Sequence, residues 1–370
     1  MASQTGVLFR VSTFGESHGV AVGCSIDGCP AGLRLDLESV QTELNRRRPG
    51  QNSFTSPRSE ADQVRILSGV ENGITLGTPI ALVVENTNVQ KNDYDETHSL
   101  YRPGHADYTY DAKFGVRARS GGGRASARET IGRVAAGAVA KQLLEHLSKG
   151  KIEVLAWVHR LAHIACPEEV QPQNRTDVDA HPLRVPHAET AAAMGQFLTE
   201  LMATGDTAGG LIRCAVRGVP AGWGEPVFDK LEAELAKAMM SLPASRSFEM
   251  GAGLASTYMK GSEHNDAFTT APQSGAIITR TNHCGGVQGG ISNGMELGFA
   301  VGFKPVSSIR LPQDTVDDSG RQTTLHITKG RHDPCVLPRA VPLVEAMTWL
   351  VLADHALRAQ VNQIERCRSV

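Results

Sequence analysis

The sequence predicts a mixed α/β protein built from a duplicated unit, and three observations carry that prediction. Residues 20–27, 80–85 and 297–303 alternate or run apolar over strand lengths. Leu37, Val40 and Leu44, and later Phe228, Leu231, Leu235, Ala238, Met239 and Leu242, recur at helical period. One strand–turn–helix unit is also used twice. Gly28-Cys29-Pro30-Ala31-Gly32 precedes a helix containing Leu35-Asp36-Leu37-Glu38, and Gly218-Val219-Pro220-Ala221-Gly222 precedes one containing Phe228-Asp229-Lys230-Leu231-Glu232. Each follows an alternating strand, residues 20–27 or 211–216. Two copies imply pseudo-symmetry, whereas a solenoid needs at least three. The 370 residues are expected to form one domain of two halves, about 1–150 and 151–358, with a polar tail at 359–370.

The elements follow in order. Residues 6–11 read as an opening strand, and residues 20–27 as the next. The first helix should stop at Arg48, because Pro49-Gly50 cannot continue it. Ser126-Ala127-Arg128-Glu129 has capping-box spacing, opening a helix that turns Ile131, Val134, Ala135, Ala138 and Val139 toward a core. Residues 166–186 are rich in Pro, Asp and Gln and read as a loop or insertion. In residues 297–303, Leu297, Phe299, Val301 and Phe303 make a bulky face, and Gly298, Ala300 and Gly302 a bare one on which something should pack closely.

Composition narrows the function. Lys and Arg number 37 against 39 Asp and Glu, and aromatics are 5%. A nucleic-acid partner is not expected without a basic face or stacking platforms. The seven cysteines form no C-x-x-C pair, which argues against the common zinc spacings, a disulfide framework and an oxidising compartment. No metal site is expected. The N-terminus has no charged-then-apolar signal pattern, and no run was expected to reach membrane-span length. The expected location is the cytoplasm, or an organelle if a transit peptide has been removed.

Three constellations carry chemistry. Gly121-Gly122-Gly123-Arg124 feeds a helix N-terminus, where free N–H groups and the positive dipole end, with Arg124 and Arg128, favour an anion. The run is neither a Walker A loop nor a dinucleotide fingerprint, since Gly-Lys-Ser/Thr is missing and Ser126 stands at the third glycine position. Arg46-Arg47-Arg48 ends a helix; one cation there suits the dipole, but three repel each other and point to an anionic partner. His18 in Gly15-Glu16-Ser17-His18-Gly19, and His105 in Arg102-Pro103-Gly104-His105-Ala106-Asp107, lie in turns exposed enough for proton transfer. Lys329-Gly330-Arg331-His332-Asp333-Pro334 adds Arg, His and Asp together. Ser-His-Asp hydrolysis by Ser17, His18 and Asp333 is disfavoured, because adjacent Ser and His do not easily adopt triad geometry and no G-x-S-x-G occurs.

These residues describe a site for a small, highly anionic ligand. At this point the sequence resembles the chorismate synthase family. Phe14-Gly15-Glu16-Ser17-His18-Gly19, Arg46-Arg47-Arg48-Pro49-Gly50, Arg102 to Asp107, Gly121 to Arg124, Ser126-Ala127-Arg128-Glu129-Thr130 and Gly330-Arg331-His332-Asp333-Pro334 match its signatures in family order, from about residue 6 to 358. The match is weakest at residues 166–186.

The resemblance implies a β-α-β sandwich, a homotetramer, and 1,4-elimination of phosphate from 5-enolpyruvylshikimate 3-phosphate with reduced FMN and no net redox change. It implies that His18 protonates the leaving phosphate, that His105 stabilises the reduced flavin, and that Asp333 assists proton removal. Ser17, Arg47, Arg48, Arg102, Ala127, Arg128 and Arg331 would hold the substrate. Arg124, Ala125, Ser126, Pro243, Ala244, Gly289, Lys304, Pro305, Val306, Ser307, Ser308 and Arg331 would hold the flavin. Ala125 and Val306 stand where the family often has hydroxyl side chains, Pro243 where it has an amide, and Ser53 where it has a cation. FMN binding should therefore be weaker by about 1 kcal/mol per lost hydroxyl. The alternative is an NAD(P)H-dependent flavin reductase, alone or as a second activity with NADPH as reductant. A non-catalytic anion-binding relative is a further one, against which both histidines argue.

Overall fold

The computed structural model describes residues 3–51, 54–55, 61–87, 98–118, 121–327 and 333–364. Two antiparallel five-stranded sheets enclose a helical layer. The first sheet has the order β1 (Gln4–Thr5), β2 (Arg10–Gly15), β3 (Ala21–Asp27), β7 (Ile80–Glu85), β4 (Val64–Ser68). The second has the order β11 (Ser245–Met250), β16 (Leu297–Phe303), β10 (Gly210–Arg217), β8 (Glu153–Leu161), β9 (Ile164–Ala165). Between them lie α3 (Thr130–Ser148), packed on β2, β3 and β7, and α8 (Leu337–Gln360), packed on β8 and β10. Flanking them are α1 (Leu37–Arg47) and α6 (Leu231–Met240). Around this frame lie α2 (Asp107–Phe114), α4 (Arg175–Asp179), α5 (Ala188–Thr204) and α7 (Gly261–His264). Four hairpins complete it: β5 (Val70–Glu71) with β6 (Ile74–Thr75), β12 (Phe268–Thr270) with β13 (Ile277–Thr279), β14 (Val287–Gln288) with β15 (Ile291–Ser292), and β17 (Gln313–Val316) with β18 (Gln322–Leu325).

The layers approach closely because small residues line the contact. A Cβ on Gly132 of α3 would lie 2.5 Å from the Gly23 carbonyl of β3, and one on Gly137 2.6 Å from the Ala346 Cβ of α8. Inside α8, Pro342 cannot donate to the Pro338 carbonyl one turn back. The Arg184 guanidinium donates to that carbonyl instead.

The two strand–turn–helix units use the same bonds. Gly32 N–H donates to the Thr75 carbonyl and Gly222 N–H to the Ser292 carbonyl, both at 2.9 Å. The Thr75 and Ser292 hydroxyls donate to the Pro30 and Pro220 carbonyls at 2.7 and 2.6 Å. Gly28 and Gly218 take φ of 84° and 79°, which L side chains disfavour.

Several expectations need correction. Residues 6–9 form a turn between β1 and β2, because one Asp354 oxygen accepts the N–H groups of Val7, Leu8 and Phe9 and bends the chain. Phe228, expected on the buried face of α6, precedes the helix and is 89% exposed. Residues 166–186 hold the short α4, whose Asn174 and Asp177 form a capping box. The bulky face of β16 is buried as expected; on the bare face a Cβ on Gly302 would collide with the Ser247 hydroxyl, but nothing among the described residues lies within 4 Å of one on Gly298. The helix α8 is long and apolar enough to cross a membrane, which the sequence reading missed; 94% of that stretch is buried inside the fold, so it is the core helix.

Candidate active site

The tight turn after β2 and the glycine run before α3 bring the first predicted residues together. The Ser17 hydroxyl and His18 Nδ1 lie 2.9 Å apart, and Ser17 is buried. Adjacent Ser and His thus meet through Nδ1, the nitrogen a triad reserves for its carboxylate, so the contact is not triad geometry and the argument against it holds. Among the described bonds, Asp333 accepts from Arg339 Nη1 at 2.6 Å, and Arg339 Nε donates to the Arg47 carbonyl. Gly121, at φ 126°, passes the His18 ring so closely that a Cβ there would be 2.6 Å from Nδ1.

The segment leading into α3 differs from expectation. Ser126 caps a short 3₁₀ turn, accepting from Arg128 N–H at 3.3 Å, and Glu129 does not complete a capping box. Glu129 instead accepts from Thr13 Oγ1 and Arg133. The N–H groups of Glu129 and Thr130 bond to the Ser126 and Ala127 carbonyls, so this helix start does not offer a row of open donors. The glycines do other work: they let the backbone pass His18 and leave a cavity open.

That cavity, about 320 Å³, lies between the glycine run and the His105 loop. His105, Tyr110, Val116, Gly121–Gly123 and Arg124 are among its lining residues. Its volume falls within the usual range for small-molecule sites. Apolar walls beside open glycine backbone, with His105 and Arg124 on the lining, suit a flat ring with a polar edge, so these residues fit a flavin.

Asp107 was part of a motif but had no assigned role, and it organises this wall. Its carboxylate accepts from Arg102 Nε and Nη2, both at 2.7 Å, and lies 2.8 Å from His105 Nδ1. Burial pushes the Asp107 carboxyl up, but the hydrogen bonds from Arg102 and His105 outweigh it and hold it well below the usual range. A proton on Nδ1 facing Asp107 leaves Nε2 of His105 for a ligand.

The predicted arginines separate into groups. Arg46 is a core residue: it pairs with the buried Glu345, with Asp179 and with Glu43, so the anionic partner inferred for the triple-arginine run is, for Arg46, internal. Arg47 and Arg128 share Asp62, a residue the sequence reading missed. Burial lowers the Arg47 guanidinium to about 10 against the pull of Asp62, which still leaves it charged at neutral pH. Arg47 also donates to the Ala127 carbonyl at 3.1 Å, which brings that predicted residue into the group. Arg48 is half-buried and forms no ion pair among the described residues. Arg124 folds back onto the Thr13 hydroxyl and the Thr13 and Gly15 carbonyls.

The remaining residues expected to hold a flavin fall in two places. Lys304 N–H donates to the Ala244 carbonyl at 2.9 Å, joining Pro243-Ala244 to the run Lys304-Pro305-Val306-Ser307-Ser308. A Cβ on Gly104 would be 3.3 Å from Ser307 Cβ, so that run adjoins the His105 loop beside the cavity lined by Ala125. Gly289 sits in the β14–β15 turn, whose Gly290 carbonyl accepts from Leu231 at the start of α6. No bond among the described residues joins it to the cavity. Arg331 and Ser53 lie outside the described residues, as does His332. Among the described residues no group of three or more metal-ligating side chains occurs.

A family model described as chorismate synthase matches residues 9–357. Similar curated proteins, each named chorismate synthase, include one from Prochlorococcus marinus, 56% identical over 358 residues and covering 97% of this chain and 98% of the relative. One from Synechococcus sp. is 56% identical over 360 residues, with coverage of 97% and 98%. One from Opitutus terrae is 55% identical over 358 residues, covering 97% of each chain. A solved structure titled "Crystal Structure of Chorismate Synthase" superposes with a TM-score of 0.75 at 28% identity, covering 99% of this chain and 96% of that one. None of these relatives is named a flavin reductase, and the reductase alternative has no support from them.

Proposed function

The chain belongs to the chorismate synthase family and is a carbon–oxygen lyase that eliminates phosphate from 5-enolpyruvylshikimate 3-phosphate; on that premise we propose that it uses reduced FMN and that His18 and His105 are its proton-handling residues. The observation that carries this reading is the cavity with His105 on its wall and His18 against its Gly121.

His18 is the general acid for the departing phosphate, held in place through Nδ1 by the buried Ser17. Arg47, Arg48, Arg102, Arg128 and Arg331, with Ala127, bind a substrate of one phosphate and two carboxylates. A flavin would be held by Arg124 to Ser126, Pro243-Ala244, Gly289, the run Lys304 to Ser308, and Arg331. A reduced flavin, when bound, supplies reversible electron donation without net redox change. His105, oriented by Asp107, would stabilise the reduced flavin, and Asp333, held by Arg339, would assist removal of the proton. Ala125 and Val306 lack hydroxyls, which weakens flavin binding by about 1 kcal/mol each.

The protein acts as a cytoplasmic homotetramer in this reading. Each chain is one domain of two pseudo-symmetric halves, about 1–150 and 151–358, which the matched turn bonds at Gly32 and Gly222 support.

The test is anaerobic. With 5-enolpyruvylshikimate 3-phosphate and dithionite-reduced FMN, phosphate and chorismate should appear in equal amounts, and oxidised FMN should give neither. His18→Ala should lower kcat about 10²–10⁴-fold. A wild-type rate in that variant would remove His18 from the mechanism.

A further inference from the structure

We propose that Asp62 is a positioning residue that holds the substrate-binding arginines Arg47 and Arg128 as one fixed pair, an inference that rests on their assignment to the substrate above. Its two oxygens serve different cations at equal distance: Oδ2 accepts from Arg47 Nη2 and Oδ1 from Arg128 Nη1, each at 2.9 Å. Side-chain exposure is 0% for Asp62, 2% for Arg47 and 6% for Arg128, so solvent does little to screen the three charges.

Further bonds aim both guanidiniums. Arg47 Nη1 donates to the Ala127 carbonyl at 3.1 Å and the Thr130 hydroxyl at 3.3 Å. Arg128 Nε donates to Asn86 Oδ1, and Nη2 to the Glu85 carbonyl at 3.5 Å. One carboxylate thus ties the end of α1, the strand end of β7 and the turn before α3 into a single frame.

The Asp62 backbone is itself held in an unusual state. Its φ is 46°, in the left-handed region. Gln41 of α1 clamps it there: Nε2 donates to the Asp62 carbonyl at 3.2 Å and Oε1 accepts from Val64 N–H at 3.0 Å. A non-glycine residue kept in such a conformation persists only where its surroundings over-determine it, and such positions gather at functional sites.

The electrostatics give the carboxylate its purpose. Two guanidiniums this buried repel one another, and Asp62 lets both stay charged and close. Within the trio, Asp62 offsets one of the two positive charges. In Asp62→Asn the shape survives, but the amide nitrogen can only donate and faces a donor, so one arginine loses its place.

The experiment is anaerobic steady-state kinetics on full-length Asp62→Asn with 5-enolpyruvylshikimate 3-phosphate and reduced FMN, with oxidised-FMN titration alongside. The expected result is a KM at least tenfold higher, with kcat within about threefold and FMN binding within about twofold of wild type. An unchanged KM overturns the proposal, and so does parallel loss of kcat, KM and FMN binding, which would mark a core ion pair. If Asp62→Asn does not fold, Gln41→Ala decides, since it removes the backbone clamp and otherwise only exposed contacts to Asn45 and the Ala61 carbonyl: KM should rise two- to fivefold, and an unchanged KM overturns the proposal. Arg128→Lys separates the two levels. If it leaves KM unaltered, the substrate assignment has failed and this inference falls with it; if it raises KM and Asp62→Asn does not, only the role of Asp62 is overturned.

Discussion

Replacing Gly121 by alanine tests how tightly the glycine run holds His18, the proposed general acid. At Gly121 an added Cβ would lie 2.6 Å from His18 Nδ1, 2.7 Å from its Cε1 and 3.2 Å from Ser17 Oγ. Ordinary contact between such atoms is about 3.5 Å, so the ring must retreat by about 0.9 Å. It cannot retreat without stretching its 2.9 Å contact to Ser17, which is buried and has no room to follow. A displacement of about 1 Å in a catalytic group costs on the order of 10²-fold in rate. The backbone adds its own penalty: φ of 126° is foreign to alanine and costs about 1–3 kcal/mol of stability. Gly121→Ala should therefore lose about 100-fold in kcat under anaerobic assay and 1–3 kcal/mol in urea unfolding. Gly275→Ala is the control, because Gly275 also has positive φ but nothing within 4 Å; it should lose stability only. A wild-type kcat in Gly121→Ala would refute the claim that this glycine sets the position of His18.

Two other predictions concern the charged core behind the site. Glu345 is 2% exposed and accepts from Arg46 and from the Ala156 N–H, so Glu345→Ala should cost about 3 kcal/mol in urea unfolding, since it strands part of a buried ion network; a loss under 1 kcal/mol would mean that Asp179 and Glu43 alone suffice. Burial pushes the Glu43 carboxyl up, but Arg175, Lys141 and Arg46 outweigh it and lower it from 4.5 to about 2. A carboxyl depressed in the folded state stabilises above its unfolded value and loses that contribution as pH falls through the folded one. The contribution is about 3 kcal/mol at neutral pH and should fade between about pH 4.5 and 2. The stability difference between wild type and Glu43→Gln should shrink over that window, and a difference constant from pH 7 to 2.5 would contradict the assignment.

Much of the site could be read from contiguous residues. The motif around His105 already contained its orienting partner, since Asp107 lies two positions on, although its role went unassigned. Ser17 and His18 are neighbours in the chain, and the glycine run announced a close backbone approach before its object was known. The Gly28 and Gly218 turns likewise carried their own conformational demand.

The arginines show where such reading stops. Arg46, Arg47 and Arg48 are one run of identical side chains, yet Arg46 is bound to Glu345, Arg47 to Asp62, and Arg48 forms no ion pair among the described residues. Asp62 had no motif to mark it, and Arg339 reached the site from the start of α8. Local sequence determined the turns, the helix stops and the types of chemistry available, because backbone sterics and short-range hydrogen bonds act over a few residues. Which cation pairs with which carboxylate was decided only by the tertiary structure. Arg46 meets Glu43 three positions away but also Asp179 and Glu345, 133 and 299 positions away, and Arg128 meets Asp62 66 positions away; a charge is assigned its role by the carboxylates that share its low-dielectric surroundings in space.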